Sequence, residues 1–209
     1  MIEKPWNGFA ARPSYMDLFD GKDVRGAGVG YGADTLGTMC TQQFAWFLGP
    51  VCDKDGNVLK DENGDLAIVK KEVEETLSEA TWNDGARFCK YEVDKNKKYD
   101  WAENDYVLMR YADVLWMKEE AILRGGKGAS GFNSPDFQKM KARAFAYEEN
   151  PAAAYAAAYP DVLTLEKICD ERGREFSWEC IRRRDLIRFD KFDKIEFVTA
   201  KEPFRRWFP

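Results

Sequence analysis

From Val162 to Phe189 the chain reads VLTLEKICDERGREFSWECIRRRDLIRF, and this stretch limits the possible folds more than any other. Leu165, Ile168, Cys169, Phe176, Cys180 and Ile187 fall at helical spacing, which predicts a long amphipathic helical region packed on its apolar stripe. Thr164, with Lys167 three residues on, is an imperfect capping pattern for its start. Charge interrupts the stripe, since Arg172 and Arg183 lie on or beside it. Arg172 with Glu175, Glu171 with Arg174, Glu179 with Arg182 or Arg183, and Asp185 with Arg188 stand three or four apart with opposite sign. These arginines are expected to be struts paired along their own helix rather than a patch reaching for a polyanion.

The other strong patterns are also helical. In residues 104–126, Val107, Tyr111, Val114, Leu115 and Ile122 share one face, Asn104 or Asp105 can cap the start, and Gly125 with Gly126 ends the run. A further helix is predicted over Pro135–Tyr147, and PAAAYAAAYP predicts another that begins at Pro151 and stops at Pro160. Tyr155 and Tyr159 share a face there and are expected to pack that helix onto a neighbour.

Between Phe44 and Lys71 the pattern shortens to apolar pieces separated by DKDGN and DENGD, the composition of tight turns, and predicts a small β-hairpin excursion. Asp61, Asn63, Asp65 and Glu72 match four positions of a calcium loop, but Leu66 occupies the position that needs Gly, so a turn is expected and no metal site. Residues 1–50 read mainly as ordered loops with one amphipathic piece, PSYMDLF. GVGYGA at 28–33 matches a dinucleotide-binding pattern without the strand that should precede it, and reads as a surface loop.

Composition removes several classes of function. The chain has no histidine, which excludes Ser-His-Asp and Cys-His nucleophiles and every His-ligated metal site. A net charge of -5 argues against nucleic acid as a partner, and residues 170–209 hold 11 Lys plus Arg against 9 Asp plus Glu. Five cysteines without a CxxC pair indicate neither a disulfide framework nor a thiolate zinc site, and buried free thiols are expected. No cofactor is indicated. Seven tryptophans suit a binding surface as well as a core.

Arg110-Tyr-Ala-Asp-Val-Leu-Trp-Met-Lys-Glu-Glu-Ala121 is similar to the segment RYADVLLMYAEA of the SusD/RagB family. Ile168, Glu171-Arg172, Glu175-Phe176, Glu179, Arg182 and Asp185-Leu-Ile-Arg188 resemble a second segment of that family, and KARA at 141–144 a third. WNGFAARPSYMDLFDGKDVR and GARFCKYE also look like family segments. The chain differs in having Cys180 for the usual Gly, Arg183 for an aromatic, and Lys118-Glu119 for a small apolar pair. The resemblance makes Arg182 and Arg188 framework residues and leaves Arg183 and Arg184 without a role. With no lipid-attachment cysteine and no N-terminal helical half, residues 1–209 are expected to be a single C-terminal region of a longer protein.

The resemblance implies a mainly α fold, a tetratricopeptide-like helical scaffold with long loops and the small hairpin. It implies a non-catalytic, lipid-anchored protein on the surface of the outer membrane of Bacteroidetes. Such a protein captures oligosaccharide or polysaccharide and delivers it to a SusC-like TonB-dependent transporter. Peptide or other nutrient binding by the same fold is the alternative, with a glycoside hydrolase behind it. Because the helical motifs build scaffold, ligand contacts are sought among loop aromatics and amides: Trp6, Asn7, Tyr31, Trp46, Trp82 and Trp101. Trp6→Ala is expected to weaken glycan binding while leaving the fold intact, and unchanged affinity in isothermal titration would remove Trp6 from the site.

Overall fold

A computed structural model of the chain describes residues 10–26, 44–51, 57–73, 81–90, 105–159 and 163–194. These form six helices and two small antiparallel two-stranded sheets: α1 (Pro13–Met16), β1 (Trp46–Phe47), β2 (Gly49–Pro50), β3 (Ile68–Val69), β4 (Arg87–Phe88), α2 (Tyr111–Leu123), α3 (Pro135–Ala144), α4 (Pro151–Ala158), α5 (Leu165–Glu175) and α6 (Arg182–Arg188). The mainly helical class and the small β excursion agree with the sequence reading.

The hairpin is β2 paired with β3, Gly49 opposite Val69, closed beyond a Lys60–Leu66 bridge by a turn at Asp61. The Asp61 carboxylate accepts from the backbone N–H groups of Asn63 and Asp65, at 2.9 and 3.0 Å, and Gly64 takes φ +87°. The acidic residues therefore build an Asx-type turn. Among the described residues no group of three or more acidic or cysteine side chains could hold a metal.

Helices α3 and α4 begin where the sequence places them. Ser134 accepts from the Phe137 N–H and Asn150 from the Ala153 N–H, each followed by proline at the first helical position. Tyr155 is buried against Ala144 and Phe145, with its ring 5.3 Å from that of Tyr159, so the tyrosine face packs α4 onto α3. The main core joins Trp116, Phe132, Phe137, Met140, Ile168 and Phe176. A second cluster gathers Ala11, Met16, Ala45, Trp46 and Ala86 around the β1–β4 ribbon.

Helix α2 departs from expectation in two respects. It starts at Tyr111 rather than near Asn104, and Arg110 is extended at φ -140°, ψ 162°. The extended backbone lets the Arg110 side chain reach across to Glu175 and Glu179, at 2.6 and 2.9 Å. Its inward face is also charged: Asp113, Trp116, Glu119 and Glu120 are buried, whereas Tyr111 and Val114 of the predicted apolar face are 62% and 44% exposed. Leu115 of the predicted face still packs against the main core, but tertiary partners bury the charged positions beside it. Asp113 meets Arg172 at 2.6 Å, Glu120 meets Arg188 and Arg124 at 2.7 and 2.8 Å, and Glu119 accepts from Ser130 and the Gly131 N–H, both at 2.6 Å.

The region from Leu165 to Arg188 is two helices, not one. Between α5 and α6, Trp178 and Cys180 adopt φ +62° and +59°, the left-handed region that breaks a helix. The last carbonyls of α5 are satisfied from outside: Lys90 Nζ donates to the oxygens of Glu175 and Ser177, at 2.9 and 3.3 Å, and Arg110 Nη2 to that of Glu175 at 2.7 Å. Arg182 folds back onto α5, donating to the Cys169 carbonyl at 2.6 Å. It crosses Gly173 so closely that a Cβ there would lie 2.6 Å from its Nη1.

Only part of the expected pairing along the helix is present. Glu171 with Arg174 (3.4 Å) and Asp185 with Arg188 (3.2 Å) pair as the spacing predicts. Arg172 instead joins Asp113 of α2 and Asp185 of α6, and Glu179 joins Lys90 and Arg110. Glu175 meets Arg25, Arg110 and Arg143. Arg25, itself buried, also holds Asp23 at 2.6 Å and Glu171 at 2.9 Å. The arginines are struts, but between elements. Arg184 reaches Asp113 at 4.0 Å, and Arg183 lies over the Phe192 ring at 5.1 Å.

Two predictions arise from this framework. Burial pushes the Glu175 carboxyl up, but Arg25, Arg143 and Arg110 outweigh it and lower its pKa from 4.5 to about 2. Its contribution, about 3 kcal/mol, is present above pH 4.5 and lost as the pH falls towards 2. Glu175→Gln is expected to destabilise the neutral protein by about 3–5 kcal/mol and to flatten the acid loss, read by urea unfolding at several pH values. Cys180→Gly, which relieves the left-handed backbone, is expected to raise stability by about 1 kcal/mol in the same assay.

Candidate functional site

A ladder of aromatic rings connects the second cluster to the surface beside the α5–α6 bend. Tyr15 of α1 meets Trp46 of β1 edge-on at 5.7 Å, and Trp46 meets Phe88 of β4 edge-on at 5.4 Å. Trp46 and Phe88 are directly opposite in the β1–β4 register, so the ribbon sets their separation. Trp178 completes the ladder. Its ring stacks on Phe88 with centroids 4.8 Å apart and planes 25° apart, and it meets Trp46 edge-on at 6.1 Å. Trp46 is buried at 3% exposure, whereas Trp178 is 42% exposed.

The backbone around Trp178 is fixed from below. Glu179 receives the Lys90 ammonium and the Arg110 guanidinium, and Tyr15 Oη lies 2.7 Å from both the Gly173 carbonyl and Ser177 Oγ. Lys90 is shifted below its ordinary value because burial outweighs its attraction to Glu179. Positive φ at Trp178 and Cys180 turns the chain out of the helical path at this point. A large indole surface is thus held by ribbon, bend and ion pairs, with a second ring stacked behind it.

An indole face held in this way can stack on the apolar face of a sugar ring or on another flat, partly apolar group. It brings no acid–base pair with it. A glycosidase acid needs a raised pKa, but the arginines around Glu175 lower its carboxyl to about 2.

The candidates named from sequence are distributed unevenly. Trp6, Asn7, Tyr31 and Trp101 lie outside the described residues, as does the glycine-rich stretch at 28–33. Trp46 forms the buried base of the ladder. Trp82 is 43% exposed in the turn before β4, and its carbonyl accepts from the Arg87 side chain. Trp178 and Phe88 were missed, because Trp178 falls inside what reads as continuous helix. The usable signal was Cys180: a position where the resembling family carries Gly is a natural helix stop. The thiols differ from expectation as well, since Cys169 is buried but Cys89 and Cys180 are exposed, one after β4 and the other in the bend.

Among the described residues no helix is long and apolar enough to cross a membrane. Comparison with curated proteins and with solved structures gives no match. The SusD family model, in contrast, matches residues 3–203, almost the whole chain. The helices that carry the motif segments are those tied together by the buried arginines. The chain therefore belongs to the SusD family, whose members are non-catalytic, glycan-binding outer-membrane lipoproteins that associate with a SusC-type transporter.

Proposed function

We propose that this chain captures an oligosaccharide or polysaccharide at the outer cell surface and passes it to a SusC-like TonB-dependent transporter, with Trp178 providing a stacking face for one sugar ring. The observation that carries this reading is the 42% exposed indole of Trp178, stacked on Phe88 and anchored through Glu179. Trp178 is pre-organised by its ion-paired neighbours, so little ordering cost falls on the protein when a sugar binds. Trp82, 43% exposed before β4, is the other described tryptophan with a large exposed surface.

Glycan-array screening of the protein, followed by isothermal titration of the best hit, tests the reading. Trp178→Gly is the informative variant, because glycine accepts φ +62° without strain and the substitution removes only the ring. Affinity is expected to fall about tenfold, roughly 1.4 kcal/mol, with an unchanged far-ultraviolet circular dichroism spectrum. Binding to a peptide library with no array hit would replace glycan by peptide as the ligand. An array hit whose affinity is indifferent to Trp178→Gly would move the site elsewhere.

A further inference from the structure

A cavity of about 230 Å³ lies among α2, α4 and α5, away from the Trp178 ladder, and two buried donors on its wall lack a hydrogen-bond acceptor. One is Trp116 Nε1, on a residue 1% exposed; the other is Arg174 Nε, on a residue 7% exposed. Arg174 Nε stands 3.4 Å from Glu171, an ion-pair contact without hydrogen-bond geometry. The tyrosine and glutamate groups beside them are already engaged. Tyr155 Oη donates to Glu171 and Tyr159 Oη to Asp23, while the second oxygen of Glu171 receives Arg25. What these two donors lack is an acceptor.

Its charge and size narrow the occupant. Arg174 and Lys167 are balanced by Glu171 and Asp170 along α5, so no net field favours an ion. Phe132, Leu163 and Ala158 add apolar wall. The volume is below the roughly 300–1,000 Å³ of sites for drug-sized ligands, which suits a single ring. We propose that this cavity is a second ligand site, for one compact uncharged ring bearing hydroxyl or carbonyl acceptors, a pyranose monosaccharide being the class. Such a ring offers acceptors to Trp116 and Arg174 and C–H faces to the aromatic wall. This site does not depend on the stacking role of Trp178.

The test is titration calorimetry and thermal unfolding of the full chain with D-glucose, D-galactose, D-mannose and D-xylose in turn. Saturable one-to-one binding of at least one sugar, with a raised Tm, is expected. Trp116→Phe keeps an aromatic ring and removes the donor, and should weaken binding at least tenfold. Ala158→Leu narrows the cavity from α4, should block binding, and carries the test if the Trp116 variant does not fold. Trp178→Gly should leave this binding unchanged. No binding of any of the four sugars, or binding that survives Ala158→Leu, overturns the proposal. Loss of binding in Trp178→Gly also overturns it, by assigning the sugar to the surface ladder. Failure of the glycan array alone would count against the proposed function and not against this site.

Discussion

Helix α5 can be buried only because every charge it carries inward meets a partner of opposite sign or a carbonyl. Glu171, Arg172, Arg174 and Glu175 all lie in the interior. Each would cost several kcal/mol there if left unpaired. Their partners come from elsewhere in the chain: Arg25 from the loop after α1, Arg110 and Asp113 around the start of α2, Arg143 from α3 and Asp185 from α6. The Leu18 carbonyl takes Arg174 at 2.9 Å. A greasy interface tolerates sliding, but these pairs match in only one register, so the network fixes how the helices face one another as well as holding them together.

The same network places the candidate ligand surface. Arg110 and Lys90 occupy the carbonyls at the C-terminal end of α5, which lets the chain leave the helix at Phe176 without orphaned acceptors. The bend that follows turns Trp178 onto Phe88 and outward. Scaffold and surface ladder are thus physically linked through the bend. A non-catalytic role agrees with this chemistry: Glu175 and Glu179 are tied to cations, which suits holding a shape better than moving a proton.

Parts of this arrangement were legible in the chain itself. The prolines that open α3 and α4, the Thr164 cap of α5, the Asp61 turn and the tyrosine face of α4 depend on neighbours within a few residues, so local chemistry predicts them well. Glu171–Arg174 and Asp185–Arg188 belong to the same local class. The face of α2 was misread because Val107, Tyr111 and Val114 look like a core stripe, while the inward positions are acidic. Burying Asp113 and Glu120 makes sense only once Arg172 and Arg188 are known to lie opposite, some 60 residues away in sequence. Trp178 was hidden for a related reason, since nothing beside it announces that Lys90 and Arg110 will cap the preceding helix.

By itself, the sequence determined the helical class, most of the helix starts, the hairpin and, through its spaced motif residues, membership of the SusD family. Those features come from propensity, capping and periodicity, which act over one or two turns. Tertiary structure alone decided which of several possible partners each buried charge would take, which face of α2 turns inward, and where the long C-terminal region breaks. A buried charge is stabilised by whichever opposite charge the fold brings within about 3 Å, and distance along the chain does not set that choice.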